Sequence, residues 1–204
     1  MFLIRESNVN DIKEIVNIHQ KAFASFLMTE LGPGFLRQYY SSVLTYPDKI
    51  FLVIEDENNG VVGFSAGFVY PEKFYSHLRS KKVNMALCSA IYVLVRPFLW
   101  GRIMNNIVRM DRRAKGLEYK GNVCEVSSIA VKPNMAGKGL GKLLIAAFLK
   151  KAREKGAQKV YLTTDALNND YTNMFYQKLG FSLERTFQVA SKRVMNEYVI
   201  SLTD

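Results

Sequence analysis

The stretch EVSSIAVKPNMAGKGLGKLL, from Glu125 to Leu144, constrains this chain more than any other. Val123–Val131 is mostly β-branched and apolar and predicts a strand. Pro133 and Asn134 end it, because proline has no N–H for a ladder and asparagine suits a turn. Gly137, Gly139 and Gly141 follow at two-residue spacing. Leu140, Leu143, Leu144, Ala147 and Phe148 then recur at i, i+3, i+4, i+7 and i+8, the stripe of an amphipathic helix. Strand, glycine turn and helix in that order predict an α/β layer packing.

Such a turn favours an anion. A helix start offers unpaired N–H groups and the positive end of the helix dipole. Glycines let the backbone approach a bulky pyrophosphate, and Lys138 and Lys142 add positive charge. A plain glycine-rich turn with no ligand fits the same spacing and stays open. Two phosphate motifs are excluded. Gly137 to Lys142 does not fit G-x-x-x-x-G-K-[ST], and in G-x-G-x-x-G the third glycine would fall on Lys142.

At 204 residues, 49% hydrophobic and 23% charged, the chain has the size and composition of one globular domain, taken here as 1–204. Cys88 and Cys124 offer no disulfide framework or metal spacing, and MFLIRES lacks the pattern of a secretory signal. A cytoplasmic setting and no metal are expected. The net charge is +10. Between Pro71 and Gly121, eleven Lys and Arg face three acidic residues, so this quarter of the chain carries +8. The rest is nearly neutral, which argues against solubility alone as the reason for the charge.

Phe2–Arg5 reads as a strand. Asn8 or Asn10 caps a helix that buries Ile12, Ile15, Val16, Ile18 and Ala22. A second helix is predicted over Phe35–Leu44. Lys49–Glu55 and Val61–Tyr70 form a hairpin around Asn58-Asn59-Gly60. Gly63 and Gly67 inside its second strand mark a bulge or a close approach. Met85–Trp100 is nearly all apolar, flanked by Lys81-Lys82 and Arg102, and too short to span a bilayer, which needs about 20 apolar residues. Packing on the domain or a homodimer, a lid, and peripheral membrane contact through 81–102 all remain open for it. Lys159–Thr164 is a strand parallel to Val123–Val131, and Phe181–Gln188 pairs with Arg193–Ile200.

Ile129-Ala130-Val131-Lys132-Pro133 and Gly137-Lys138-Gly139-Leu140-Gly141 together resemble the acetyl-CoA loop of the GNAT N-acetyltransferase superfamily. Ala136 stands where the family usually has Arg or Gln, which removes a side chain but no backbone amide. Asn169, Phe175, Tyr176, Lys178, Gly180 and Phe181 resemble the second signature, N-x-x-A-x-x-F-Y-x-K-x-G-F, with Thr172 in place of Ala. The resemblance covers residues 1 to about 202 apart from 71–121. It implies the GNAT fold: a mixed central sheet of about six to seven strands flanked by helices, here with a basic helical insertion at about 71–121.

The resemblance further implies acetyl-CoA as co-substrate. The pantetheine arm would lie along Ile129, Ala130 and Val131, the Val131 amide facing the thioester oxygen, while the next strand splays away. Ala136, Gly137, Lys138, Gly139, Leu140, Gly141 and Lys142 would hold the diphosphate. Asn169, with Asn168 as a rival, would bond the pantetheine or diphosphate, and Tyr176 would protonate the departing sulfur. Glu125 lies where several family members place a carboxylate base. Asp165 and Glu197 are alternatives, and a salt bridge to the insertion is a non-catalytic use of Glu125. Ser127 and Ser128 are candidates to hold a water.

The first two helices border the acceptor in this family, so His19, Phe23, Phe26, Met28, Thr29, Tyr39 and Tyr40 are candidate acceptor contacts. Core packing is the alternative for the aromatics, and a structural hydrogen bond for His19. With His19 and His77 the only histidines, direct transfer is expected over an acyl-enzyme. The basic insertion points to an anionic small amine, and a nucleotide-linked amino sugar would supply phosphates for its arginines. A protein or peptide N-acetyltransferase is the alternative enzyme. A CoA-binding module gripping membrane or nucleic acid is the alternative outside enzymes, and no recognition-helix motif supports nucleic acid.

Overall fold

The apolar runs of the sequence become seven strands of one sheet. The computed structural model describes residues 1–24, 26–58, 60–94, 101, 103, 122–189 and 193–203. In chain order they form β1 (Phe2–Glu6), α1 (Ile12–Ala22), α2 (Leu27–Glu30), α3 (Pro33–Leu44), β2 (Lys49–Asp56), β3 (Gly60–Val69), α4 (Pro71–Ser80), α5 (Lys82–Leu94) and β4 (Val123–Val131). The chain continues through α6 (Leu140–Glu154), β5 (Lys159–Asp165), α7 (Asp170–Lys178), β6 (Ser182–Gln188) and β7 (Val194–Ser201). The strand order is β1-β2-β3-β4-β5-β7-β6. Every neighbouring pair is antiparallel except β4 and β5, which α6 connects.

Period-two alternation assigns the strands to two apolar layers. Phe51 and Val53 of β2 pack with Phe64 and Phe68 of β3 beneath α1, α3 and α4. Ile50, Leu52 and Ile54 point the other way, with Cys124 and Val126 of β4, onto Leu140, Leu144 and Phe148 of α6 and Tyr176 of α7. Asn8 caps the turn that leads into α1, accepting from the Asn10 amide at 2.9 Å. Asp11 answers by accepting from the Asn8 amide at 2.8 Å, which closes a capping box.

Most predicted elements stand within two residues of their expected limits. The second helix, α3, starts at Pro33 rather than Phe35, because proline suits the first helical turn and Gly32 at φ 92° turns the chain into it. A four-residue helix, α2, precedes it. The hairpin tip at Asn59 and, apart from 101 and 103, the part of the expected helical insertion beyond Leu94 lie outside the described residues. Among the described residues no helix is long and apolar enough to cross a membrane.

Candidate active site

A fork in the sheet organises the site. β4 pairs with β5 only from Val123↔Lys159 to Val126↔Leu162. β4 nevertheless runs on to Val131, and β5 keeps pairing with β7 as far as Asp165↔Met195. On its other edge β4 carries a bulge. Ala66 pairs with Ser128 but Gly67 with Val126, so Ser127 is the extra residue. Gly67 permits this: a Cβ there would stand 2.0 Å from the Glu125 carbonyl oxygen. A bulge bends its strand and sharpens the twist, which turns the second half of β4 away from β5.

Beyond the bulge the ladder to β3 resumes, and the Lys132 amide donates to the Val62 carbonyl at 2.8 Å. Backbone groups alternate in direction along an antiparallel strand. Ala130, two residues from Lys132, therefore spends its N–H and C=O on β3. Ile129 and Val131, opposite Ser65 and Gly63, turn theirs toward the fork. The Ile129 and Val131 side chains lie with the α6 layer, and that of Ala130 in the opposite layer.

The glycine turn sits at the mouth of the fork. A short 3₁₀ turn, Pro133–Met135, buries Met135 and anchors it. Gly137 and Gly139 adopt φ of 77° and 75°, and the space where their side chains would project is open. The first helical bond of α6 runs from the Leu143 amide to the Gly139 carbonyl at 3.1 Å. Among the described residues no backbone carbonyl accepts from the amides of Gly139, Leu140, Gly141 and Lys142. Ala136, Lys138 and Lys142 are exposed around them, with Lys138 Nζ 3.4 Å from the Met135 sulfur. Gly141 is small for a different reason: a Cβ there would lie 3.3 Å from the Phe175 ring of α7. Four open amides at the start of a helix, two lysines and open space beside two glycines fit a diphosphate.

α7 carries the second signature. Tyr176 is buried among Phe175, Phe181 and Tyr198, and its hydroxyl has no hydrogen-bond partner among the described residues. Burial pushes its pKa well up, so the phenol holds its proton. Asn169 donates through Nδ2 to Thr164 Oγ1 at 2.8 Å and to the Asp165 carbonyl at 3.2 Å. That leaves its Oδ1 as the acceptor it can offer a ligand. Asn168 stands beside it at φ 55°. Asn173, which the motif leaves as a variable position, donates to the Asp165 and Asn169 carbonyls at 3.0 and 2.9 Å. It also accepts from Tyr198 Oη at 3.1 Å, so it ties α7 to both β5 and β7.

On the opposite face Glu125 is 5% exposed. Tyr75 of α4 donates to its Oε1 at 2.9 Å, and Tyr161, its partner in register on β5, to its Oε2 at 2.7 Å. The bulge brings Ser127 to α3, where Tyr39 hydrogen-bonds it. Tyr40 is fully buried and its hydroxyl lies 2.6 Å from His19 Nδ1. Burial pulls His19 down to about 4, so its imidazole is neutral. Tyr40 and His19 thus belong to the core. Phe23, Phe26, Met28 and Thr29 are only partly buried, and Tyr39 reaches the bulge.

The two alternative carboxylates are occupied by arginines. Asp165 is held in an ion pair by Arg193, whose guanidinium lies 4.6 Å from the Phe26 ring centre. Glu197 is buried beneath Arg185, which binds both its oxygens at 2.8 and 3.0 Å. Sequence spacing signals neither arginine, nor the roles of Tyr75 and Asn173. Tyr161 is recoverable once the parallel register with Glu125 is known.

The acetyltransferase (GNAT) family model matches residues 12–181 of this chain. No curated protein sequence matches it. Among solved structures it is similar to the polyamine N-acetyltransferase of Drosophila melanogaster, which forms N-acetylagmatine, at 16% identity and a TM-score of 0.68 over 99% of this chain and 100% of that one. It is also similar to the ribosomal-protein-S18-alanine N-acetyltransferase of Escherichia coli, at 13% identity and 0.61 over 100% and 96%. A Salmonella typhimurium protein assigned as an acetyltransferase, solved with its cofactor acetyl-CoA, aligns at 16% identity and 0.63 over 100% and 95%.

Proposed function

The chain belongs to the GNAT family of acetyltransferases, with acetyl-CoA as its co-substrate, and from that premise we propose direct transfer of the acetyl group to the amine of a small, anionic acceptor. Bound acetyl-CoA supplies a thioester, an acyl group already activated toward amines. The open amides of Gly139 to Lys142, with Gly137 and Lys138, hold the diphosphate, and Asn169 offers its Oδ1. The Ile129 and Val131 amides, freed by the fork, stand ready to stabilise negative charge on a carbonyl oxygen. Glu125 takes the proton that the amine loses as its bond to the acetyl carbon forms. Tyr176, kept protonated by burial, donates to the sulfur as the carbon–sulfur bond breaks. Glu125 stands on β4 itself, the strand whose Ile129 and Val131 amides open toward the fork, which favours it over Asp165 and Glu197 as the base.

One observation carries the acceptor class: α4, the first helix of the +8 segment, brings Tyr75 onto the Glu125 carboxylate. The basic segment therefore starts on the face where the amine is to be deprotonated. A nucleotide-linked amino sugar meets both needs, presenting an amine to Glu125 and phosphates to the arginines. The test is acetyl-CoA consumption over a panel of amino-sugar nucleotides, polyamines, amino acids and peptides. Turnover of the sugar nucleotides, with KM rising in salt, is expected. Turnover confined to polyamines or to peptide N-termini would overturn this acceptor class.

A further inference from the structure

The helix α5 shows two unlike faces. Met85 and Ser89 are buried, with Cys88 and Tyr92 beside them against α3: a Cβ on Gly34 would lie 3.1 Å from the Cys88 carbonyl, and Gly32 sits under the Tyr92 ring. Val83, Ala86, Leu87, Ala90 and Leu94 form a stripe on the opposite side, where surface helices ordinarily carry charge. Val83, Leu87 and Leu94 are 61%, 71% and 70% exposed. No residue from Val83 to Leu94 is charged. Single exposed leucines are common, but a continuous outward stripe of this kind marks a contact surface.

We propose that this stripe docks on an anionic membrane surface. Charge selects that occupant. Lys81 and Lys82 precede the stripe in sequence, and Lys73 and Arg79 are exposed on α4. Between Pro71 and Leu94 four Lys and Arg stand against Glu72 alone, and a two-fold contact between copies through this face would bring two such basic segments together, which like-charge repulsion opposes. Phosphate headgroups complement the basic flanks, and the boundary of the acyl chains takes the apolar stripe. The uncharged run between Lys82 and Arg96 is thirteen residues, about 20 Å as a helix and too short to span a bilayer. α5 therefore lies in the plane of the interface and leaves α3, packed on its inner side, attached to the acceptor face.

The experiment sediments the full chain with vesicles of phosphatidylcholine alone, and with vesicles in which part of it is replaced by phosphatidylglycerol. Binding only to the anionic vesicles, weakened by salt, is expected. Val83→Asp/Leu87→Asp should weaken that binding at least about tenfold, with thermal stability and acetyl-CoA turnover retained. Leu183→Asp, on an exposed position of β6, should leave it intact. Absence of anionic-vesicle binding, or binding untouched by the double substitution, overturns the proposal. So does a dimer in light scattering that the double substitution dissolves, which gives the stripe to a second copy. Equal affinity for duplex DNA, retained in that variant, overturns it by assigning the charge to nucleic acid.

Discussion

Gly67→Ala tests the fork at its origin. The added Cβ would stand 2.0 Å from the Glu125 carbonyl oxygen, a full ångström inside the 3.0 Å below which real Cβ contacts essentially do not occur. It would also meet the Phe148 ring at 2.6 Å. Phe148 can adjust a little within the core, but a carbonyl in the centre of a sheet cannot swing aside. β3 and β4 must separate where Ser127 bulges, which loosens the ladder on both sides of it. Overpacking costs about 1–3 kcal/mol and occasionally more, and contact with backbone belongs at the upper end. For a chain of this length about 3 kcal/mol lowers Tm by roughly 6–12 °C. Gly60→Ala is the control. Gly60 has φ 62° but open space around it, so only the conformational cost of about 1 kcal/mol applies. Urea unfolding of the two variants compares the costs, and acetyl-CoA turnover reports whether the amides past the bulge still line up. If Gly67→Ala unfolds within about 0.5 kcal/mol of the parent chain, the close approach of β3 to β4 is not what sets the bulge.

Tyr176→Phe keeps the packing but removes the proton. Turnover should fall about 100-fold with CoA affinity within about threefold, by stopped-flow and calorimetry; an unchanged rate removes Tyr176 from the mechanism. Tyr39→Phe and Ser127→Ala each break the hydrogen bond between the two side chains, worth about 1 kcal/mol. Their double-mutant cycle should show coupling in kcat with little change in KM for acetyl-CoA, and strictly additive effects would mean the pair does not position the bulge. His19 gives stability a pH dependence. Its folded pKa, about 4, lies below the ordinary 6.5, so the unfolded chain binds the extra proton. The stability from His19 is complete above pH 6.5 and is lost as pH falls toward 4, in total about 3 kcal/mol. Denaturant midpoints in that window should fall less steeply for His19→Phe, and an identical slope would show that another group sets it. Asp11, whose carboxylate Arg5 holds below the usual range, adds its own loss only at lower pH.

The order of elements and the identity of the glycine turn were legible in the sequence, because each depends on residues close together in the chain. β-branched runs, Asn-Gly, Pro133 and the Leu140–Phe148 stripe specify local conformation through propensity and period, and those preferences act within a turn or two. The two signatures were readable for the same reason: open amides at the start of a helix and a tyrosine one turn from its end are local facts. Which way Glu125 points was decided only in three dimensions. It depends on a bulge, on a glycine in the neighbouring strand and on a parallel register with Tyr161. Tyr75 reaches Glu125 from fifty residues away, and Arg185 and Arg193 occupy the rival carboxylates across strand pairs. Such contacts follow from long-range pairing and burial, which no window of sequence records.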